Sequence, residues 1–407
     1  MTITITPARL KGAITPPPSK SQAHRLLIAA ALAHGESVIS NVAYSQDIQA
    51  TLDCLEQLEA VVTRREDHVR MWGLGGLEQE DNSLPKLNCR ESGSTLRFLI
   101  PVALAVTGGG LFTGSSRLLE RPQGPYQTLF AEKGILFDQA ANSILVKGQL
   151  TPGIYKLPGD VSSQFITGLL YALPTLEGDS EIVLTTKLES KDYVDMTILA
   201  LEAFGVVVDK THWGYRIPGK QRYRAGQLAV ECDYSQAAFY YAANGLRNQV
   251  SIEGLNPHSA QGDMRISPYY IKLCGDGYVE LDVSQCPDLV PALAVHAALR
   301  AGQTTAIVNA ARLRTKESDR LSAVTQELNK LGANVEEHPD HLIIHGVDHL
   351  HGGKVDTHND HRIAMMLAIA ATRADGPVTL TGAESVEKSY PNFWEHYQSL
   401  GGQIAVH

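Results

Sequence analysis

A chain of 407 residues with 43% hydrophobic and 19% charged side chains has the composition of a globular protein, with core enough for two or three domains. Its net charge of −9, and the lack of any Lys/Arg block interleaved with aromatics, exclude nucleic acid and anionic membrane as expected partners. The longest uncharged apolar run, Phe98 to Val106, contains Pro101 and is too short to cross a bilayer.

Met1-Thr-Ile-Thr-Ile-Thr6 alternates like a strand and has no basic leader region, so no signal or transit peptide is expected. Pro16-Pro17-Pro18 forms a stiff joint. Ser19-Lys20-Ser21-Gln22-Ala23-His24-Arg25 then opens an Ala/Leu-rich helix. Lys20 and Ser21 fall in its first turn, where free N–H groups and the helix dipole favour anions, and Arg25 lies one turn beyond Ser21. Cations at a helix N-terminus oppose the dipole, so their placement there calls for an anion. Glu91-Ser92-Gly93-Ser94-Thr95-Leu96-Arg97 repeats the arrangement: a small turn, hydroxyls, then an Arg inside an apolar helix.

Ser115-Ser116-Arg117-Leu118-Leu119-Glu120-Arg121-Pro122 is a cationic loop, and Ser162-Ser163-Gln164 is a third helix start rich in donors. Lys220-Gln-Arg-Tyr-Arg224 makes a polar crossing near mid-chain, and Cys286-Pro287-Asp288 puts a lone carboxylate at the mouth of an apolar helix. From Arg312 to Arg320 four cations and two acids share nine residues, with Ser318 or Asp319 placed to cap the next helix. Glu317 sits between Lys316 and Arg320, whose charges favour its ionised form, a setting suited to proton transfer beside anions. His358-Asn359-Asp360-His361-Arg362 is a fourth helix start, and Glu387-Lys388-Ser389-Tyr390-Pro391 a second cationic loop.

An amphipathic helix ending near Gly and followed by a β-branched strand starts at 47, 125, 195, 263, 319 and 391, roughly every 69 residues and longer than the common solenoid repeats. Ala/Leu-rich helices intervene at 21–33, 94–106, 164–173, 235–243, 288–300 and 360–373. The pattern is six units of two helices with several strands each.

Other chemistries find little support. Cysteines 54, 89, 232, 274 and 286 are odd in number and form no CxxC pair, which fits a reduced cytosolic setting. The series His338, His341, His345, His349, His351 crosses a strand and a turn without a helical frame and reads as a solvated loop, while Arg362 would repel a metal from His358 and His361. Gly108-Gly109-Gly110 lacks the Lys-Ser/Thr of a P-loop, and there is no dinucleotide fingerprint or nucleophile elbow.

With Lys316-Glu-Ser-Asp-Arg320, Asn359-Asp-His-Arg362, Leu119-Glu-Arg-Pro122 and Lys20-Ser21…Arg25 in this order, the chain resembles the 3-phosphoshikimate 1-carboxyvinyltransferase (EPSP synthase) family of enolpyruvyl transferases. The resemblance runs from Pro18-Ser-Lys-Ser21 to Lys388-Ser-Tyr-Pro391. It implies an α/β (α+β) fold of two similar domains, each an inside-out barrel of three βαβαββ units with helices inside and sheets outside. Residues 1–18 with 225–407 would form one domain and 19–224 the other, with hinge crossings near 16–20 and 220–225. It implies transfer of the carboxyvinyl group of phosphoenolpyruvate to the 5-hydroxyl of shikimate 3-phosphate, releasing phosphate, in the shikimate pathway to chorismate and aromatic amino acids. The family works without metal or cofactor as a cytoplasmic monomer, and is the target of glyphosate, which competes with phosphoenolpyruvate.

Carried over by motif, Lys20, Ser21, Arg25, Ser162, Ser163, Gln164, Ser190, Asp288 and Lys316 match shikimate 3-phosphate contacts. Lys20, Gly93, Arg117, Gln164, Arg320, Arg362 and Lys388 match the phosphoenolpyruvate site. Asp288 and Glu317 match an acid/base pair, with Asp288 toward the 5-hydroxyl and Glu317 or Lys20 handling the proton at C3; coupled groups allow these roles to exchange. Glu91-Ser92-Gly93-Ser94 stands where many bacterial members have Asn-Ala-Gly-Thr, and Phe98 where a Pro is common. Glu91 would weaken phosphoenolpyruvate binding unless Arg90, Arg97 or Arg117 neutralises it. The related UDP-N-acetylglucosamine carboxyvinyltransferases usually carry a reactive Cys in the loop matching 113–122, which has none here. An inactive phospho-metabolite-binding homologue would not be expected to keep Lys20, Asp288, Glu317 and Arg320 together.

Overall fold

Two kinds of helix alternate along the chain, because two kinds of sequence do. A computed structural model describes residues 1–75 and 83–407, which divide into two compact units: Lys20–Glu231 (the N-unit) and Met1–Ser19 with Cys232–His407 (the C-unit). The N-unit helices are α1 (Lys20–Leu32), α2 (Gln46–Gln57), α3 (Gly93–Thr107), α4 (Ser116–Glu120), α5 (Gly124–Glu132), α6 (Ser163–Ala172) and α7 (Lys191–Ala203). Those of the C-unit are α8 (Tyr234–Gly245), α9 (Ile266–Cys274), α10 (Val290–Ala298), α11 (Arg320–Lys330), α12 (His361–Ala371) and α13 (Phe393–Ser399).

The Ala/Leu-rich helices α1, α3, α6, α8, α10 and α12 are apolar nearly all round and form the centre of each unit; every residue of α10 and α12 is buried. The amphipathic helices α2, α7 and α11 turn one face to that centre and one to solvent. The strands alternate buried and exposed side chains, as in Thr2–Thr6, so the sheets form an outer layer over the helices.

Among the described residues the N-unit carries three four-stranded sheets of one design, a parallel pair extended by an antiparallel hairpin. In one of them Lys86–Asn88 runs parallel to Gly109–Thr113, which pairs with Ile144–Lys147 and then Leu136–Gln139. Tyr223–Arg224 pairs with Ala33–His34, and Gln227–Ala229 with Val38–Ser40. This pairing keeps residues 223–229 with the N-unit, so the chain leaves it at 231–232, beyond the 220–225 stretch expected from sequence.

Two C-unit sheets repeat the design, but the third, Lys11–Ile14 with Gln249–Ile252, has two strands among the described residues. Here the expected βαβαββ unit is reduced. After α9 the chain passes through Gly275–Gly277 straight to Val279–Asp282, with no hairpin between. Buried Arg300 clamps this turn, donating to the carbonyls of Leu273 (2.8 Å), Gly275 (2.8 Å) and Gly277 (3.1 Å). The outer side of α9 stays uncovered, with Ile271 70% exposed.

One local conflict in α3 is resolved by packing. Pro101 lies inside the helix and cannot donate to the carbonyl of Arg97, four residues back. The Tyr126 hydroxyl takes that place, 2.8 Å from Arg97 O and 3.0 Å from Phe165 O. Gly168 makes room: a Cβ there would lie 2.4 Å from both Arg97 O and the Tyr126 hydroxyl. The proline is thus accommodated by the α3–α6 contact, and the start of α3 is held against the start of α6.

Candidate active site

In the N-unit the helix starts are tied together by a closed belt of polar contacts beneath them. His24 of α1 meets Thr51 of α2 (2.8 Å), Thr51 meets Thr95 of α3 (2.7 Å), and Arg97 of α3 donates to Gln164 of α6 (2.9 Å). Thr167 of α6 meets Thr197 of α7 (3.0 Å), and Arg25 of α1 closes the belt on Thr197 (2.9 Å). Burial, and then the charges of Lys20 and Arg25, hold His24 well below the ordinary imidazole pKa, so it takes part as a neutral ring.

Most N-unit side chains predicted from sequence lie at these helix starts, and Arg25 and Gln164 belong to the belt itself. Lys20 reaches Asp47 in the first turn of α2 (2.7 Å), an ion pair largely shielded from solvent at 14% and 11% exposure. Arg25 is buried and committed to the N-unit, donating to Ser21 O (2.7 Å) and Tyr193 O (2.8 Å) and lying 5.3 Å from the Phe98 ring centre. Phe98, standing where the family commonly has Pro, is therefore a core residue packed between His24 and Tyr171. Ser162 caps α6 by accepting from the backbone N–H of Gln164, and Ser163 is buried in its first turn. The Gln164 amide also donates to Ser94 (3.1 Å). Ser190 is buried at the start of α7 with a left-handed φ of 53°, a strained position of the sort that clusters at ligand sites.

The loop 115–122 separates its two arginines. Arg117, matched to the phosphoenolpyruvate site from sequence, lies exposed on α4, whereas Arg121 is buried. A methyl group on Gly93 would stand 2.7 Å from Arg121 Nη1, so the glycine is what lets this guanidinium approach the start of α3. Of the cations expected to offset Glu91, Arg90 bonds Asp53 (2.6 Å), and Arg97 bonds Gln164 and Pro122 O (2.8 Å).

The C-unit gathers its predicted residues more tightly. Asp319 caps α11 by accepting from Ser322 N, which sets Arg320 at the first helical position. Arg320, 1% exposed, donates to Asp288 (2.9 Å), Glu317 (2.7 Å) and Asp360 (2.7 Å). Arg362 donates to Asp288 Oδ2 (3.1 Å), and Lys316 Nζ lies 3.4 Å from Asp288 Oδ1. Burial alone would raise the Asp288 pKa, but Arg362, Lys316 and Arg320 outweigh it and hold the group well below the carboxylate range. Burial likewise works against the Arg320 charge, and Asp360, Glu317 and Asp288 more than restore it. Lys388 is buried and donates to the carbonyl of Asn359, in the left-handed His358-Asn359 turn before α12.

Sequence reasoning quoted Asp360 within a motif without giving it a task. It is fully buried and accepts from Arg320 Nε, Ser318 Oγ (3.0 Å) and the backbone N–H of Arg362 (2.9 Å), so one carboxylate caps α12 and orients Arg320. Asp47 and Arg121 were missed in the same way. The signal available for Asp360 and Asp47 was an acidic residue at a helix start; for Arg121 there was only its place in a quoted motif.

The family described as EPSP synthase (3-phosphoshikimate 1-carboxyvinyltransferase) matches residues 5–275 and 275–397. The two matched stretches meet at Gly275, the turn where the hairpin after α9 is absent. The chain is 44% identical to a 3-phosphoshikimate 1-carboxyvinyltransferase of Clostridioides difficile, over 98% of this chain and 97% of that protein. It is 46% identical to one of Clostridium acetobutylicum, over 99% and 98%. A solved EPSP synthase structure from Acinetobacter baumannii superposes with a TM-score of 0.79 at 25% identity, covering all of both chains. The chain belongs to the EPSP synthase family.

Proposed function

We propose that this protein transfers the carboxyvinyl group of phosphoenolpyruvate to the 5-hydroxyl of shikimate 3-phosphate, releasing phosphate, as a cytoplasmic monomer that needs no metal or cofactor. The observation that carries this reading is Asp288, a carboxylate at a helix mouth bracketed by Arg320, Arg362 and Lys316. Anion-binding cations and a proton acceptor meet there, as a reaction between two anionic substrates requires.

Shikimate 3-phosphate is assigned to Lys20, Ser21, Arg25, Ser162, Ser163, Gln164, Ser190, Asp288 and Lys316. Phosphoenolpyruvate is assigned to Lys20, Gly93, Gln164, Arg320, Arg362 and Lys388, with Arg121 rather than the exposed Arg117 as the loop arginine. In the free protein Asp288 is too weak a base, because three cations hold its negative charge. A phosphate or carboxylate arriving on Arg362, Lys316 or Arg320 competes for those cations and restores basicity to Asp288 as the hydroxyl is positioned. Asp288 then takes the 5-hydroxyl proton, and Glu317, or Lys20 in its place, delivers a proton to C3 of phosphoenolpyruvate. The oxygen attacks C2 as C3 becomes a methyl group, giving a tetrahedral adduct of both substrates. The group that protonated C3 then takes a proton back, the C–H electrons re-form the C2=C3 double bond, and phosphate leaves with the C–O bond electrons. Two domains of repeated βαβαββ units joined by two chain crossings go with this reading.

Phosphate release from phosphoenolpyruvate by the purified protein tests the proposal, with shikimate 3-phosphate or UDP-N-acetylglucosamine as acceptor. Release that depends on shikimate 3-phosphate is the expected result. Release with the nucleotide sugar, or silence with both, overturns it.

A further inference from the structure

We propose that His349, His351 and Asp375 form a surface site for a divalent transition-metal cation of the zinc, nickel or copper type, separate from the residues assigned to catalysis. One ligand atom from each residue falls within 4.8 Å of the others, close enough for a single ion to reach all three. Two imidazole nitrogens and a carboxylate oxygen are the donor set such borderline cations prefer, with the fourth position left to water.

The backbone brings this set together from two distant stretches and fixes it. Leu350 is fully buried, so its neighbours His349 and His351 are both turned outward beside a pinned residue. Leu350 bridges to Ala374, and its carbonyl accepts from Asp375 N (2.9 Å). His351 N donates to Leu331 O (2.7 Å), and Gly352 N to Asp375 Oδ1 (3.1 Å), which orients the carboxylate. His351 Nδ1 lies 2.7 Å from Asp375 Oδ2, and the two imidazole rings are 5.0 Å apart at 84°. A cation replaces the proton shared by that nitrogen and oxygen, and a small rotation of His349 completes the set. Asp348 adds a further negative charge next to His349. Sequence alone could not show this, since the third ligand lies 24 residues beyond His351. The His338–His341 pair, stacked at 4.2 Å, has Asp340 2.7 Å from His341 and Glu336 3.9 Å from His338, but among the described residues it forms no group of three ligand atoms within 4.8 Å of one another and serves as an internal control.

The test is calorimetric titration of the chelator-treated full chain with zinc chloride, repeated with nickel chloride. The expected result is one equivalent bound at micromolar dissociation constant, weakened at least tenfold by each of His349→Ala, His351→Ala and Asp375→Ala. The double variant His338→Ala/His341→Ala should bind as the parent does. Cobalt substitution supplies a second readout: intense visible absorption from a four-coordinate ion, lost in Asp375→Ala. All these side chains are exposed, so the variants should fold, which an unchanged melting temperature without metal verifies. No stoichiometric binding, or binding carried by His338 and His341 instead, overturns the proposal. It does not rest on the proposed reaction, because neither readout involves turnover.

Discussion

The buried arginines at the helix starts of the two units are held in opposite ways, while Arg300, away from any helix start, clamps backbone carbonyls in the C-unit. In the N-unit, Arg25 and Arg97 spend their donors on neutral acceptors: Ser21 O, Tyr193 O, Thr197, Gln164 and Pro122 O. In the C-unit, Arg320 faces three carboxylates and Arg362 shares one of them. Arg25, whose donors go to neutral acceptors, is not neutralised by them when an anion arrives. An arginine on carboxylates instead lowers their proton affinity, so under the proposed reaction the C-unit would control acid/base groups and the N-unit would hold anionic substrate. Lys20, paired with Asp47, is the N-unit exception and the one N-unit residue also assigned to proton transfer.

The sharpest test of this contrast is Asp288→Asn, which keeps shape and removes the base. Turnover should fall by roughly 10²–10⁴, the usual range for a lost general base. Calorimetric binding of shikimate 3-phosphate should change far less. Retained turnover would remove Asp288 from the chemistry.

Next in size is a matched pair, Arg320→Met and Arg25→Met. Removing Arg320 leaves Asp288, Glu317 and Asp360 without their shared counter-charge, a loss of about 3–5 kcal/mol at neutral pH. The sign with pH follows from Asp288, whose folded pKa is depressed. Its stabilising contribution is present above the unfolded carboxylate pKa and disappears as pH falls through the folded value. The penalty for Arg320→Met should therefore be large from pH 7.5 down to about pH 4 and shrink only below that, as Asp288 loses its charge. Arg25→Met breaks hydrogen bonds to neutral groups, so its cost should stay flat over the whole range. Denaturant titrations at several pH values separate the two, and parallel slopes would dissolve the contrast.

At a third point the units agree. His24 in the N-unit and His296 in the C-unit are both buried, and burial first, then neighbouring cations, lowers both pKa values; His296 falls to about 4. A histidine depressed in the folded state takes up its proton more readily when unfolded. Stability is therefore full above about pH 6.5 and falls as pH drops toward 4, by roughly 3 kcal/mol for His296. Melting temperature should decline over that window, and His296→Asn should flatten the slope.

Much of this architecture was legible in the sequence, and the reason is the choice of signals. Inner helices such as α12 are apolar on every face and outer ones such as α11 on one, so composition and periodicity name both. The helix starts could be read from cap residues, as Asp319 illustrates. The partners could not. Lys20 with Asp47, Arg320 with Asp360, and Arg121 against Gly93 depend on which helix starts become neighbours in space, and no local pattern carries that. The missing hairpin was hidden for a different reason: Gly275-Asp-Gly277 looks like any short turn, and only strand pairing reveals the sheet that stops at two strands.

The smallest expected effect concerns how each unit accommodates a proline in a central helix. Pro291 of α10 lies in the first turn, where its missing N–H has no intrahelical partner to lose. Pro101 of α3 lies in mid-helix, and the carbonyl it abandons, Arg97 O, depends on the Tyr126 hydroxyl. Tyr126→Phe removes that hydroxyl while keeping the ring stacked on Phe130 and set edge-on to Phe165. Leaving a buried carbonyl unsatisfied costs about 1–3 kcal/mol, and the melting temperature should fall accordingly. Because Arg97 also bonds Gln164, and Gln164 bonds Ser94, the loosened turn should raise the KM for phosphoenolpyruvate a few-fold while leaving kcat nearly unchanged. An unchanged KM with the expected drop in stability would show that the proline repair supports the core of the N-unit alone, and that the starts of α3 and α6 are set by the polar belt without it.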